Sequence, residues 1–367
     1  MSIEGGHAET AIELAALAPG PLEPVGARGL PALWTFGALG FLIGALLVGL
    51  TVGPFPIGAW AIVEAAVSHL PLLHVHSPLT PLQSAIVWQV RAPRVALGGL
   101  VGAMLAVAGS AYQGTFRNPL ADPYLLGVSE GAGAGATILI AFFPSAAGTE
   151  LLPLAAFVGA VVAVTAAYLL GSSVARAGGT GALILAGVTV AAFMTAVQTF
   201  LQQRQTQTLQ QVYAWILGGL SGATWHEVAL AAPWMVLSAA VLLSHRRILD
   251  VLTVGDEEAG SLGLNVKRTR LLIVVAATVG TSAAVAVSGL IGFVGIIVPH
   301  TVRLLVSSSY RAIVPLSLLI GAGFLVLADV IARTVLSPAE LPIGVVTAFF
   351  GAPFFAIVLR HSRWVGL

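Results

Sequence analysis

Two short motifs in this 367-residue sequence have residue types and spacings that could carry chemistry. Residues 127–131 read GVSEG, which matches the G-x-S-x-G spacing around a nucleophilic serine. That nucleophile requires a strand before it and a helix after it, whereas this motif adjoins a long apolar run. His74 and His76 form an H-x-H pair, but two histidines are too few ligands for a metal site. We therefore expect no catalytic residue and no metal site.

The sequence also limits what this chain can do with ATP. A P-loop needs a lysine after its glycines to reach the phosphates, and the only lysine is Lys267, in LNVKRTR. The sequence contains no cysteine, which excludes disulfides, thiolate metal sites and cysteine nucleophiles. This chain is therefore not its own P-loop ATPase, and any work done by ATP requires a separate subunit.

Composition places the chain in a membrane. Hydrophobic residues make up 57% of it, charged residues only 8%, and the mean hydropathy is +0.98. Soluble domains carry about 25% charged residues. The formal net charge is +1, and the sequence has no clustered basic face of the kind that binds nucleic acid. These features predict a polytopic membrane protein of the all-α class.

A helix needs about 20 apolar residues to cross a bilayer, and runs of that length recur along the sequence. We expect about ten spanning helices, with the least defined boundaries between 289 and 312, where short glycine-rich pieces could form half-helices. The expected spans are residues 34–53, 93–113, 123–143, 152–171, 182–202, 228–245, 270–289, 294–309, 312–332 and 343–360. Residues 1–32 are expected to form a polar, disordered cytoplasmic tail, followed by one transmembrane domain of residues 33–367.

Orientation follows from the positive-inside rule, which counts Lys and Arg in short loops. With a cytoplasmic N-terminus, most basic residues fall on the cytoplasmic side: Arg28, Arg117, Arg176, Arg246, Arg247, Lys267, Arg268, Arg270, Arg311, Arg360 and Arg363, with Arg303 near it. The exceptions are Arg91, Arg94, Arg204 and Arg333. Ten spans then place both termini in the cytoplasm. The four outer arginines depart from the rule, so their positions need a separate explanation.

The sequence RNPLADPYLLGVSEG, residues 117–131, is a polar, helix-breaking stretch between two apolar runs. Pro119 and Pro123 each remove a backbone donor and disfavour helix in the residue before them. Asp122, directly before Pro123, suits a helix N-cap. We expect a tight cytoplasmic turn between the second and third spans. In the third span, the small residues GAGAGA, 131–136, are expected to allow close helix packing.

A loop of residues 250–267 separates the sixth and seventh spans. Its segment DEEAGSLG predicts a short helix whose first-turn acids interact favourably with the helix dipole. Gly263 suits the C-terminal cap of that helix. An exposed acidic helix of this kind is suited to docking with another protein. The alternative is a solvated linker without a partner.

Three longer segments resemble the signature segments of the FecCD family, the transmembrane permeases of type II ABC importers. They read RAPRVALGGLVGAMLAVAGSAYQGTFRNPLADPYLLGVSEGA, GLIGFVGIIVPHTVRLL and LADVIARTVLSPAELPIGVVTAFFGAPFF. The resemblance runs from about residue 85 to the end of the chain. Members of that family take up ferric siderophores, haem and cobalamin. The resemblance implies ten helices per subunit, two subunits around one path, two cytoplasmic ATPases and an extracytoplasmic binding protein.

The resemblance also implies roles for individual residues. The segment DEEAGSLGLNV matches the coupling helix that sits in a cleft of the ATPase. Its candidate contacts are Asp256, Glu257, Glu258, Leu262 and Gly263. Part of the polar turn matches a cytoplasmic gate that closes against the second subunit. The gate candidates are Asn118 and Leu120, with Thr180 in a second gate element.

The outer residues Arg91, Arg94 and Arg333 match family positions that pair with glutamates of the binding protein. From the residues alone, the alternative is that they reach lipid headgroups at helix ends. Glu130 has no matching role, because family members commonly carry a small polar residue there. It could contact cargo or a partner helix, or else snorkel or pair with a neighbour such as Arg117.

These features predict the permease subunit of an ATP-driven importer for a bulky metal chelate: a ferric siderophore, haem or cobalamin. The subunit is not expected to be an enzyme or to bind a cofactor, since ATP and Mg²⁺ belong to the partner ATPase. We expect a homodimer in the plasma membrane of a prokaryote. Nothing in the sequence selects one of these cargoes.

The alternative is an ion-coupled secondary transporter that works without an ATPase. Such transporters usually bury ionisable groups near the membrane midplane, and the candidates are Glu64, Glu130 and Asp329. Asp329 has Arg333 one turn further along its helix, so we expect the two to pair. An intramembrane hydrolase is disfavoured because no nucleophile–base pair is evident.

Overall fold

The computed structural model describes residues 30–68, 77–174 and 179–362. All regular secondary structure in these ranges is helical. The α-helices are α1 Ala32–Thr51, α2 Ala59–Ser68, α3 Pro81–Ala85, α4 Ala92–Phe116, α5 Val128–Phe142, α6 Leu151–Val174, α7 Gly179–Arg204, α8 Leu209–Ile216, α9 Trp225–Ser244, α10 Arg246–Val254, α11 Asp256–Ser261, α12 Val266–Ser288, α13 Val294–Leu305, α14 Tyr310–Thr334 and α15 Ile343–Ser362. A π-helical segment, Ile86–Arg91, joins α3 to α4. The expected N-terminal tail lies outside the described residues up to residue 29.

All ten expected spans correspond to helices, namely α1, α4, α5, α6, α7, α9, α12, α13, α14 and α15. Seven helices in the described ranges are long and apolar enough to cross a membrane. The helices α5 and α13 are apolar but shorter, with 15 and 12 residues. The predicted all-α, multi-span architecture is confirmed, and α13 is a short helix within the glycine-rich region where half-helices were expected.

The third span begins later than predicted. Its helix, α5, starts at Val128 because residues 117–127 are not helical. Asp122 does not cap this helix, since its Oδ1 accepts the backbone N–H of Tyr124 at 2.7 Å and closes a local turn instead. The N-cap is Gly127, whose φ of +81° is a conformation that favours glycine. The predicted capping role of Asp122 is therefore wrong.

The central helix of the bundle is α4. Nearly all of its side chains are buried, and it packs against α14, α12, α9 and α13. Its backbone directly contacts two neighbours: a Cβ on Gly102 would collide with the Gly321 carbonyl in α14, and one on Gly109 with the Gly295 carbonyl in α13. Lipid provides no hydrophobic driving force between helices, so close packing of this kind is a main source of their association.

The small residues 131–136 of α5 pack in the same way against α6. A Cβ on Gly131 would collide with the carbonyl of Gly159, and a Cβ on Gly135 would collide with that of Ala155. The two helices therefore approach each other through their backbones. The prediction that these small residues allow close helix packing is confirmed.

The connections between helices separate into two faces of the bundle. The basic face holds residues 117–127 and 245–270, and the opposite face holds residues 52–58, 144–150, 205–224 and 335–342. Asp256 joins parts of the basic face because it pairs with Arg117 and Arg270. At the opposite face, Glu150 pairs with His226. This separation matches the alternation of spans from which the orientation is predicted.

Replacing Gly102 by alanine should destabilise the protein, because the new Cβ would overlap the Gly321 carbonyl and the Leu325 side chain. Overpacking of a tight contact typically costs about 1–3 kcal/mol. Thermal unfolding of the purified protein in detergent should show a lower midpoint. Gly99→Ala is the matched control, since it lies one turn away on α4 and a Cβ there meets only Val326 at 4.0 Å. Equal midpoints for the two variants would contradict the packing described.

Candidate functional site

The turn of residues 117–127 at the basic face is held in shape by its own hydrogen bonds. Arg117 ends α4 in the left-handed region, with φ of +52° and ψ of +36°. The side-chain Oδ1 of Asn118 accepts the N–H of Leu120 at 2.9 Å, and its carbonyl accepts the N–H of Ala121 at 3.0 Å. The predicted gate residues Asn118 and Leu120 are therefore neighbours at the tip of the turn, where Leu120 is 43% exposed.

The far end of this turn is anchored inside the bundle. The Tyr124 hydroxyl donates to the Ile291 carbonyl at 3.0 Å and accepts from the Ile291 N–H at 3.2 Å. Ile291 lies in the connection between α12 and α13. The ring of Pro123 packs against α13 so closely that a Cβ on Gly295 would lie 2.5 Å from it. The turn is thus fixed at Tyr124, while its tip remains exposed.

The helix α7 also contacts the far end of the turn. The backbones of Leu125 and Leu126 leave no room for a Cβ on Gly187, which lies in the first half of α7. Thr180, predicted to belong to a second gate element, is in the first turn of the same helix. The Thr180 side chain lies outside the described part of the chain, so its role stays a prediction.

The acidic helix predicted between the sixth and seventh spans is present as α11. Asp256, Glu257 and Glu258 occupy its first turn, as expected. Ala259 is fully buried and seats the helix on the bundle. Glu257 and Glu258 are exposed, and Leu262, directly after the helix, is 74% exposed. This end of the basic face therefore presents two carboxylates and a leucine to the exterior.

The C-terminal end of α11 is closed by a Schellman motif. The Leu264 N–H bonds to the Ala259 carbonyl at 3.2 Å, and the Gly263 N–H bonds to the Gly260 carbonyl at 2.9 Å. Gly263 has a φ of +84°, which a residue with a side chain would adopt only with strain. The predicted capping role of Gly263 is confirmed.

The helix before it, α10, is attached to α14 through Asp250. Leu249 and Leu252 are buried on one side of α10. Asp250 accepts the Ser309 hydroxyl at 2.8 Å and the Tyr310 N–H at 2.6 Å, which are the N-cap and first residue of α14. Asp250 is not among the residues predicted from sequence. The only local signal is the serine run before Tyr310, which is typical of an N-cap.

Asp256 connects α11 to two other elements of the basic face. Its Oδ1 accepts from Nη2 of Arg270, in α12, at 2.8 Å and lies 3.5 Å from Nη2 of Arg117, at the start of the turn. The hydrogen bond from Arg270 lowers the pKa of Asp256, and the charges of Arg270 and Arg117 add to that effect. The carboxylate is therefore ionised at neutral pH, and the pairing weakens only as the pH falls through this lowered pKa.

At the opposite face, Arg91 caps the end of α1. It is 4% exposed. Its Nη1 donates to the carbonyls of Leu50 and Thr51, each at 2.8 Å, and its Nη2 donates to the carbonyl of Phe55. The last carbonyls of a helix have no partner within that helix, and a cation is favourable there. Arg91 therefore points into the protein rather than into solvent.

Arg94 forms a buried network with two carboxylates. Its Nε lies 3.0 Å from both Asp329 oxygens, and its Nη2 lies 2.8 Å from Asp329 Oδ1. It also donates to the two Glu340 oxygens, at 2.8 and 3.0 Å. Arg333 lies 3.6 Å from Asp329 and donates to the Gly49 carbonyl at 2.6 Å. The predicted pairing of Asp329 with Arg333 is confirmed, although Arg94 is the closer partner.

The three arginines predicted to meet a binding protein are therefore bonded within the chain. Arg91, Arg94 and Arg333 do not present their charges at the surface, because they satisfy the end of α1 and the Asp329 carboxylate. Docking at these positions stays a prediction. Glu340, with a side chain 40% exposed, is the part of the network that a partner could reach. Sequence alone does not indicate it, since it lies 246 residues from Arg94.

Glu130 lies half-buried in the first turn of α5. Its Oε2 accepts the Ser129 hydroxyl at 2.8 Å, so the serine of the G-x-S-x-G motif is engaged with its neighbour inside a helix. The alternative that Glu130 pairs with Arg117 is wrong, since within the described residues Arg117 forms an ion pair with Asp256 and none with Glu130. The pair of histidines at 74 and 76 lies outside the described residues.

Asp329→Ala should strongly destabilise the protein, because it leaves Arg94 and Arg333 buried without their shared carboxylate. Removing one partner of a buried ion pair typically costs about 3–5 kcal/mol. Glu340→Ala is the matched control, since Glu340 is partly exposed and Arg94 keeps Asp329; exposed pairs contribute up to about 1 kcal/mol. Thermal unfolding in detergent should show the larger drop for Asp329→Ala. The reverse order would contradict this account of the network.

Comparison of the sequence with known proteins identifies the family to which this chain belongs. Residues 41–361 match the FecCD transport family. The cobalamin import system permease of Halobacterium salinarum is 40% identical over 360 residues, covering 90% of this chain and 96% of that protein. The hemin transport system permease of Yersinia pestis is 37% identical over 282 residues, covering 76% and 84%. The Fe(3+) dicitrate transport system permease of Escherichia coli is 38% identical over 278 residues, covering 76% and 86%.

A solved structure supports the same relationship. It is described as an inward-facing conformation of an ABC transporter assigned to the metal-chelate type, and its TM-score against this chain is 0.77. The two are 28% identical, and the match covers 89% of this chain and 98% of the other. Family membership implies partner subunits, an ATPase and a binding protein. The chain belongs to the FecCD transport family and is a transmembrane permease subunit of an ABC importer.

Proposed function

We propose that two copies of this chain line one path for a bulky metal chelate, which a binding protein delivers and an ATPase drives inward. The observation that carries the proposal is the contact between α11 and the turn of residues 117–127, here called the gate turn, through Asp256 and Arg117. A helix that receives force from an ATPase can open a gate only if the two are connected. The basic face provides that connection within one subunit.

The exposed end of the basic face is the proposed contact with the ATPase. Ala259 holds α11 on the bundle, and the cap at Gly263 fixes where the helix ends. The side chains left outside are Glu257, Glu258 and Leu262. An apolar side chain beside two charges suits a protein partner, which can bury the leucine and pair with the carboxylates.

The basic face is proposed to lie in the cytoplasm, together with both termini. This placement follows from the excess of Arg and Lys in its loops and from the position that an ATP-hydrolysing partner requires. The opposite face then meets the binding protein outside the membrane. We propose Arg91, Arg94 and Arg333 as supports for that docking surface, because they hold the end of α1 and the loop carrying Glu340 in place.

The tip of the turn is the proposed gate. Asn118 and Leu120 project from a loop that its own hydrogen bonds stiffen and that Tyr124 anchors. In a homodimer, each tip would close the path against the same residues of the partner copy. Thr180 in α7 is retained in this proposal as a second gate element.

An ion-coupled mechanism is less well supported, because two of its three candidate carboxylates are already engaged and the third, Glu64, is only partly buried in the 10-residue helix α2. Asp329 is paired with Arg94 and Arg333, and Glu130 accepts a hydrogen bond from Ser129. A coupling-ion site would need a carboxylate that can bind and release an ion. ATP-driven transport, with ATP and Mg²⁺ held by the partner subunit, requires no such group in this chain.

Cargo is proposed by class, as a metal chelate that is large compared with a free ion. The relatives above are named for cobalamin, hemin and Fe(3+) dicitrate, and these three compounds form a rational first panel. Proteoliposomes containing the purified complex and its binding protein should accumulate at least one related chelate when ATP is supplied to the ATPase. Accumulation that follows an ion gradient and ignores ATP would overturn the proposal.

The double variant Glu257→Lys, Glu258→Lys should lose its ATPase partner, because it reverses both exposed carboxylates of α11. Reversing charges at an interface should weaken binding by more than tenfold, since a tenfold loss of affinity corresponds to about 1.4 kcal/mol. Copurification of the ATPase with the permease measures this loss. Glu150→Lys, an exposed reversal at the opposite face, is the control and should retain the ATPase. Equal retention by both variants would rule out α11 as the contact.

Leu120→Ala should make the closed path leak, because it shortens the side chain proposed to block it. Proteoliposomes loaded with the transported chelate should release it faster without ATP. Leu336→Ala is the control, since Leu336 is a similarly exposed leucine at the opposite face. Equal, slow release from both variants would mean that Leu120 does not close the path.

A further inference from the structure

We propose that Arg117 is a positioning residue for transport, which passes the movement of α11 to the gate turn through its ion pair with Asp256. This inference rests on the proposed function, in which α11 contacts the ATPase and the turn forms the gate. Arg117 does not contact the cargo in this account. It acts by setting where Asn118 and Leu120 lie.

The Asp256 side of the contact is firmly held. Its carboxylate accepts a 2.8 Å hydrogen bond from Arg270, whose side chain is only 12% exposed. Arg270 belongs to the first two turns of α12, one of the long helices packed against α4. The position of the carboxylate is therefore determined by α11 and α12 together, and it is charged at neutral pH.

The Arg117 side of the contact is weak. Its Nη2 lies 3.5 Å from Asp256 Oδ1, and the two side chains are 40% and 42% exposed. An ion pair this exposed is screened by water and salt and contributes little stability. A contact of that strength can open and close within a transport cycle. It suits a changing connection better than a permanent structural one.

The gate turn is stiff enough to transmit a displacement of Arg117 to its tip. Arg117 is followed directly by Asn118, whose side chain bonds to the N–H of Leu120. The turn is anchored at its other end by the bonds between Tyr124 and Ile291. A displacement applied at Arg117 would therefore tilt the tip about Tyr124 instead of being absorbed by a flexible loop.

A second attachment of the coupling region has the opposite character. Asp250 accepts two hydrogen bonds from the start of α14, at 2.8 and 2.6 Å, and fixes α10 to the bundle. The α10–α11 unit thus has two firm attachments, at Asp250 and at the hydrogen bond between Asp256 and Arg270, and one weak attachment, at the Arg117 pair. A force applied to α11 would first change the weak contact between Asp256 and Arg117, and Arg117 begins the gate turn.

The test compares Arg117→Gln with Arg117→Lys and with Arg268→Gln in the assembled complex. Arg117→Gln removes the charge but keeps a long polar side chain, and Arg117→Lys keeps the charge. Arg268 is exposed on the same face, in the first turn of α12, and forms no ion pair within the described residues. Arg268→Gln therefore makes the same change of net charge without breaking the contact.

The readout is the amount of chelate taken up per ATP hydrolysed, measured in proteoliposomes with the chelate that the wild-type complex transports. Arg117→Gln should lower this ratio by about threefold, the scale set by one exposed ion pair. Arg117→Lys should restore most of it, and Arg268→Gln should match the wild type. Raising the salt concentration should lower the wild-type ratio toward that of Arg117→Gln.

Two results would overturn the inference. One is a ratio for Arg117→Gln that equals that of Arg268→Gln. The other is a parallel fall in uptake and ATP hydrolysis that leaves the ratio unchanged, since a merely structural defect would have that effect. Failure of the proposed function would look different, because the wild-type complex would then show no ATP-dependent uptake at all.

Discussion

The backbone contacts of α4 with α14 and α13 are the constraint on which the rest of the structure depends. They occur at Gly102 with Gly321 and at Gly109 with Gly295. Arg94 lies eight residues before Gly102, and Asp329 lies eight residues after Gly321. Because α4 and α14 run antiparallel, both residues lie on the same side of the glycine contact along the helix axes. Eight residues of helix rise about 12 Å, so the two charged groups reach the same level and meet inside the opposite face. The glycine contact therefore sets the register that neutralises a buried arginine.

The second glycine contact positions the turn of residues 117–127. Seating α13 against α4 brings the connection before α13 to Tyr124, which bonds to Ile291. The turn then enters the bundle, so that α5 begins only at Val128 and is shorter than a full membrane span. The contact between Gly109 and Gly295 thus explains why α5 is short and why the turn of residues 117–127 is anchored at one end and exposed at its tip.

The two faces of the bundle differ in how their charged side chains are paired. At the opposite face, Asp329 is buried between Arg94 and Arg333, and Arg91 closes the end of α1. Separating these groups would leave buried charges or carbonyls without partners in an apolar surrounding. The opposite face is therefore expected to be rigid. At the basic face, the pair of Asp256 with Arg117 remains in contact with water. Because the pair is exposed, separating Asp256 from Arg117 costs little free energy.

The number and approximate limits of the spans, the acidic helix with its Gly263 cap and the adjacency of Asn118 and Leu120 were determined by sequence alone. Apolar run length, capping residues and prolines act within a few residues, so local sequence is enough to predict them. The partners of the arginines were decided only by the tertiary structure. Arg94 meets Asp329 and Glu340 across 235 and 246 residues of sequence, and a guanidinium group predicted to face outward turns inward when packing brings carbonyls and carboxylates to it. Charge tells which side of a membrane a loop prefers, but only the packed helices determine which charge each arginine meets.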